Sequence, residues 1–198
     1  MARCKRYHTI PRDLTIDEDT GLLRITPIPE IATLRQSTAV NVTGLSRVGS
    51  QIEVVLTCSG VRPGATGAFG VDVLATASGE EYTRLGVNLT TAQGEPPSAF
   101  VDTSRTAGGA AGYDNPGTNV VPLWQLHQGT AINVTVLVDG GMIEAFFGEH
   151  LPITTLVQPS NASGAPDARY ARPFSTAAGV TCATRISKLA SLVSDMRL

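Results

Sequence analysis

An all-β fold, arranged as an antiparallel two-sheet sandwich, is predicted by three features of this 198-residue sequence. Twenty glycines and twelve prolines punctuate the chain, and charged residues reach only 16% against 42% hydrophobic. Between the turn signals run short Val- and Thr-rich segments with an apolar residue at every second position. A chain of this length hides roughly 70% of its unfolded surface on folding, so a core is possible and no staple is required.

In chain order, residues 8–16 and 22–25 read as two strands around the turn Asp17-Glu18-Asp19-Thr20-Gly21. Pro27 and Pro29 then end sheet pairing, and the polar segment 30–36 reads as a helical turn or linker, which places a boundary near Pro29. Eight further strands are expected at 51–58, 69–77, 82–90, 99–102, 132–139, 142–147, 153–157 and 180–184, enough for a sandwich. Ile52, Val54, Leu56 and Cys58 share one face of their strand, and Ile132, Val134, Val136 and Val138 share one face of another. Those faces are expected to meet in the core. Glu53, Thr57, Asn133 and Thr135 lie opposite, so each sheet is expected to be wetted on one side. The runs 106–118 and 159–173 read as surface loops, while Ile186, Leu189, Val193 and Met196 recur at helical spacing and leave the tail open between helix and strand.

A net charge of -2 gives no field that gathers polyanions, so nucleic acid and anionic membranes are not expected partners. No stretch reaches the 18 or so continuous apolar residues of a membrane span, and the basic opening Arg3, Lys5, Arg6 leads into polar sequence, so no secretory address is expected in the chain as written. Cys4, Cys58 and Cys182 form an odd set without metal spacing and read as buried or incidental thiols, at least one of them free. Against this, four of the six asparagines begin N-x-S/T triplets: Asn41, Asn88, Asn133 and Asn161. These are glycan acceptors if the protein passes through a secretory pathway and polar strand residues if it does not.

Catalytic constellations are sparse. The histidines His8, His127 and His150 lack metal-ligand spacing, and neither a G-x-S-x-G elbow nor a phosphate loop is present, so no cofactor or metal is expected. Asp139 and Glu144 sit on one hairpin around Gly140-Gly141. Asp139 is expected to fix the turn by accepting backbone amides, and Glu144 to make a cross-strand or inter-domain hydrogen bond. Trp124 and Tyr113 are candidate platforms for a sugar ring, although a lone Trp ahead of a strand more often packs in a core or interface.

The hairpin INVTVLVDGGMIEAFF (132–147), together with FGVDVLATASGEEYTRL (69–85), AFVDTSRTAGG (99–109) and HTIPRDLTIDEDTGLLRITPIPEI (8–31), resembles the C-terminal end of glycoside hydrolase family 32, the invertases, inulinases and related β-fructosidases. The resemblance implies a jelly-roll β-sandwich of the concanavalin A-like lectin/glucanase type over residues 31–198. Residues 1–30 would be a remnant of the last propeller blade, with Ile10-Pro11-Arg12-Asp13-Leu14 and Leu22 to Glu30 matching its edge. The family's catalytic carboxylates come from motifs resembling W-M-N-D-P-N-G, R-D-P and E-C on an N-terminal five-bladed propeller. None occurs here: Arg12-Asp13 is followed by Leu14, and Asp114-Asn115-Pro116 has the wrong order. The implied role is a non-catalytic module that supports the propeller of a parent enzyme acting on sucrose or fructans, the parent being secreted or vacuolar. Alternatives from other classes are a free-standing module binding neutral fructose-containing glycans and a homo-oligomerisation domain. Two departures from the family pattern stand out, the turn at Gly148-Glu149-His150 and a C-terminus without the usual last strand.

Overall fold

A computed structural model describes residues 9–36, 38–62, 64–90, 95–106, 117–123, 131–157, 159 and 169–190. Its strands are β1 (Arg12–Ile16), β2 (Leu23–Pro27), β3 (Val40–Asn41), β4 (Ser46–Arg47), β5 (Gln51–Ser59), β6 (Ala68–Ala75), β7 (Thr83–Asn88), β8 (Ser98–Asp102), β9 (Thr118–Pro122), β10 (Ile132–Asp139), β11 (Met142–Phe147), β12 (Leu151–Leu156), β13 (Tyr170–Ser175) and β14 (Thr181–Lys188). They form two six-stranded antiparallel sheets, ordered β12-β11-β10-β5-β14-β3 and β4-β13-β6-β7-β8-β9, and a separate β1-β2 hairpin. A 3₁₀ turn over Pro29–Leu34 links the hairpin to the sandwich, with proline where a missing N–H costs nothing.

The alternation sets which faces meet. Ile52, Val54, Leu56 and Cys58 of β5 lie directly across from Val138, Val136, Val134 and Ile132 of β10. From the second sheet, Phe69, Val71, Val73, Leu85, Val87, Ala99 and Val101 close onto them in one continuous core. Gly70 and Gly86 face each other across β6 and β7, where a Cβ on either would come within 2.0 and 2.2 Å of the neighbouring strand's carbonyl oxygen. Any side chain there would push the two strands apart.

Several expectations are corrected. The tail, left open between helix and strand by the sequence, is a strand to Lys188: β14 pairs with β5 from Thr181↔Ser59 to Lys188↔Ile52, because only extended backbone satisfies the open edge of β5. The last strand judged missing is therefore present, while Val193 and Met196 lie outside the described residues. Thr118 begins β9, and Tyr170–Ser175 is a strand despite Pro173. β4 pairs only with Tyr170 and Ala171, so the position of Pro173 has no partner there to miss an N–H. Pro27 ends β2 as the partner of Arg12 and does not lie outside it. Finally, Cys58 and Cys182 are not thiols but a disulfide joining directly paired residues of β5 and β14; Cys4 lies outside the described residues.

The outer face of the first sheet is drier than alternation implies. Thr57 and Asn133 are exposed there, yet Glu53, Leu137, Glu144 and Phe146 on the same face are buried. Residues 9–36 cover them.

Candidate domain interface

Strand β11 buries all six of its residues. Ile143, Ala145 and Phe147 enter the main core, whereas Met142, Glu144 and Phe146 point the other way. There Phe146 and Leu137 meet Ile31, with Ile10, Ile28, Leu34 and Leu189 packed around them. This second, smaller apolar layer glues the N-terminal segment to the sandwich.

At its centre lies Glu144, 0% exposed. One carboxylate oxygen accepts the Ile10 amide N–H at 2.6 Å, and the other accepts from Arg12 Nη2 at 2.8 Å. The same nitrogen donates to Thr154 Oγ1 at 2.8 Å, and the guanidinium carbon stands 5.6 Å from the centre of the Phe146 ring. Proline at position 11 fixes the chain between these two donors, so Ile10 and Arg12 grip one carboxylate from the same side. A buried ion pair gains little net stability over an apolar pair, but it fixes register, because any shift strands a charge out of water.

Two further anchors flank the first. The Ile25 N–H donates to the Glu149 carbonyl at 2.5 Å, His150 Nδ1 stands 2.9 Å from the Leu23 carbonyl oxygen, and Arg24 bridges Asp17 and Glu149. Beyond the 3₁₀ turn, Arg35 binds the buried Glu53 through Nε and Nη2 at 2.5 and 2.8 Å. The hydrogen bond to Glu53 raises the Arg35 pKa above its ordinary value. Between the anchors lie two clefts. One of about 330 Å³ is lined by Thr26, Pro27, Asn133, Thr135, Phe146 and His150, among others; an apolar one of about 230 Å³ lies beside Ile10, Ile31 and Met142.

The hairpin turn is held by Asp17, whose Oδ1 accepts from the Asp19 and Thr20 amides at 3.0 Å each. The Thr20 amide is the main reason its carboxyl sits below the usual range. A depressed folded pKa means that this contribution is complete above the ordinary carboxylate pKa and disappears as pH falls through the folded value. The Thr20 amide is therefore expected to lose exchange protection in acid, followed by NMR across pH 2–6, whereas Asp17→Asn, which keeps the acceptor, flattens that dependence.

Of the residues singled out in the sequence, Asp139 binds the Gln51 side-chain amide at 3.0 Å and not the turn amides; the turn is made by Gly140 with φ of 61°. Asn41 and Asn133 are exposed and Asn88 is half-buried. Trp124, Tyr113 and Asn161 lie outside the described residues. Sequence reasoning missed Ile10, Arg12, Arg35 and Glu53 as partners. The available signal was a charged residue inside the otherwise unbroken apolar run MIEAFF.

On the outer face of the second sheet, Asp72 is also fully buried, held by Arg84 Nε and Arg172 Nε at 2.7 Å each. Those guanidinium groups lie over Tyr82 and Phe174, at 4.2 to 5.2 Å from the ring centres. Glu144, Glu53, Asp72 and Asp17 thus each face an arginine, an arrangement that organises structure.

The family model described as glycosyl hydrolases family 32 C terminal matches residues 29–190. The chain belongs to this family. Among curated proteins, the family 32 domain is 33% identical over 136 residues to ecdE of Aspergillus rugulosus, named as a glycosyl hydrolase; the match covers 67% of this chain and 18% of that protein. In fold it is similar to exo-inulinase from Aspergillus awamori, with a TM-score of 0.73 and 21% identity over 92% of this chain and 36% of that one. It is also similar to fructan 1-exohydrolase IIa from Cichorium intybus, with a TM-score of 0.68 and 19% identity over 92% of this chain and 41% of the other. The family 32 domain thus spans well under half the length of each of these relatives.

Proposed function

We propose that this chain is the non-catalytic β-sandwich of a family 32 β-fructosidase, and that its task is to hold a catalytic propeller through the β1-β2 hairpin of Arg12 to Pro27. The observation that carries this reading is an apolar strip on the hairpin that the sandwich leaves uncovered. Glu144 holds the hairpin through Arg12, and Glu149 and His150 hold it through Ile25, Arg24 and Leu23, yet Leu14, Ile16 and Leu23 remain 63, 62 and 46% exposed. Ile16 pairs with Leu23, and Leu14 lies on the same face, so they form one apolar strip on a two-stranded ribbon. Such ribbons are marginal alone and are stabilised by further strands. An adjoining propeller blade supplies those strands and covers the strip.

The names of the exo-inulinase and the fructan exohydrolase point to substrates of the fructan class, which on this reading belong to the parent enzyme. The isolated chain is therefore expected to release no reducing sugar from sucrose, inulin or levan; turnover above a buffer blank in a highly purified sample overturns the non-catalytic assignment. A second reading, a glycan-binding module, is favoured by the cleft of about 330 Å³ whose lining brings Asn133, Thr135, Glu149 and His150 together with Phe146 and Leu123. Titrating the same three sugars against tryptophan fluorescence separates the two: a saturable change supports the binding module, and a flat response removes it.

A further inference from the structure

Two independent observations bear on where this protein is made. Cys58 and Cys182 are 124 residues apart in sequence yet sit directly across from each other in β5 and β14 and are joined. Structural disulfides persist in oxidising compartments and are rare where glutathione keeps thiols reduced. Cys58 is fully buried at the inner face of its sheet, with Cys182 half-buried beside it.

The second observation is how the fold displays the N-x-S/T triplets. In Asn41-Val42-Thr43, Val42 is 5% exposed and enters the core, while Asn41 and Thr43 are both exposed on the two-residue rim strand β3 and just beyond it. Val42 is anchored through its N–H to the Thr184 carbonyl at 3.0 Å. The triplet therefore keeps its acceptor amide and its hydroxyl in solvent after folding, at a sheet edge with room for a bulky group. Asn88-Leu89-Thr90 is folded in on itself: Asn88 Oδ1 accepts the Thr90 N–H at 3.0 Å, and Thr90 Oγ1 accepts from Gly67 at 2.8 Å.

We propose that this protein matures in an oxidising, N-glycosylating compartment, where Cys58 and Cys182 are closed as a disulfide and Asn41 carries an N-linked glycan. In the first step the two thiols give two electrons and two protons to the disulfide of a thiol oxidoreductase, which leaves as a dithiol. In the second, Asn41 Nδ2 forms a C–N bond to the anomeric carbon of a lipid-diphosphate-linked oligosaccharide. The sugar–phosphate C–O bond breaks, the amide loses one proton, and the lipid diphosphate departs.

The test uses protein isolated from its own source. Treated with a peptide N-glycosidase in ¹⁸O-water, residue 41 is expected to be read by mass spectrometry as ¹⁸O-labelled aspartate, and peptides holding Cys58 and Cys182 to run as one linked species until reduced. An unlabelled Asn41 overturns the proposal, as does alkylation of Cys58 or Cys182 without prior reduction. In a eukaryotic host directing the chain into its secretory pathway, Asn41→Gln and Thr43→Ala are each expected to remove the same glycan, while Thr43→Ser retains it. Retention of that glycan in Thr43→Ala would assign it to another site and overturn the assignment to Asn41.

Discussion

Replacing Arg12 by Met is expected to release residues 9–36 from the sandwich. Glu144 is then left in a site closed to bulk solvent with one protein hydrogen bond, from the Ile10 amide. Breaking a buried pair by removing one partner costs about 3–5 kcal/mol when the remaining charge stays buried. It does not have to stay there: lifting the segment hydrates Glu144 at the expense of the contacts of Ile10, Ile28, Ile31 and Leu34 with Leu137 and Phe146. The observed loss is therefore the smaller of the two quantities, the stranded-charge penalty and the docking free energy. Exchange protection of the Ile10 and Ile25 amides should fall and proteolysis within residues 9–36 should accelerate, with the β5 and β10 amides unchanged. Glu144→Leu alone orphans the Ile10 N–H, whereas the double variant Arg12→Met, Glu144→Leu removes both charges and is expected to lose less than the sum of the singles. Unchanged protection at Ile10 in Arg12→Met would remove the salt bridge from this role.

That contact also marks where reading the sequence stops. Alternation identifies the inward faces of β5 and β10 because a period of two is a property of a single strand, and the hairpin 132–147 turns at Gly140 and ends at Gly148, glycines whose backbone freedom is local. The layer above a sheet leaves no periodicity in the sheet itself. Leu137 and Phe146 sit among Asn133 and Thr135 on a face that reads as wet, and only a segment more than a hundred residues away makes it dry. Strand β14 was obscured for a related reason. Ile186 and Leu189 are three apart, a helical interval, but the pairing of eight residues with β5 outweighs so weak a local pattern. The disulfide required that pairing to be known first, since spacing alone does not show which cysteines face each other. The two-residue strands β3 and β4 are too short to carry any alternation.

Opening the Cys58–Cys182 disulfide is expected to have the other large effect, and to have it through the unfolded chain. The link closes a loop of 124 residues in sequence separation, for which the chain-entropy account gives about 5 kcal/mol, while removal of a native disulfide typically costs 2–5 kcal/mol. In the folded state the two strands remain paired along eight residue pairs whether or not the sulfurs are joined, so few native contacts depend on the bond. The double replacement Cys58→Ala, Cys182→Ala is thus expected to keep the fold by circular dichroism and to lower the urea midpoint by roughly 1–2.5 M, taking a slope of about 2 kcal/mol/M. The slope itself should rise, since an uncrosslinked unfolded chain exposes more surface. A lower midpoint with an unchanged slope would place the effect in the folded state, in the space left beside Cys58 in the core. An unchanged midpoint would mean that β5 and β14 hold the sandwich without their covalent link.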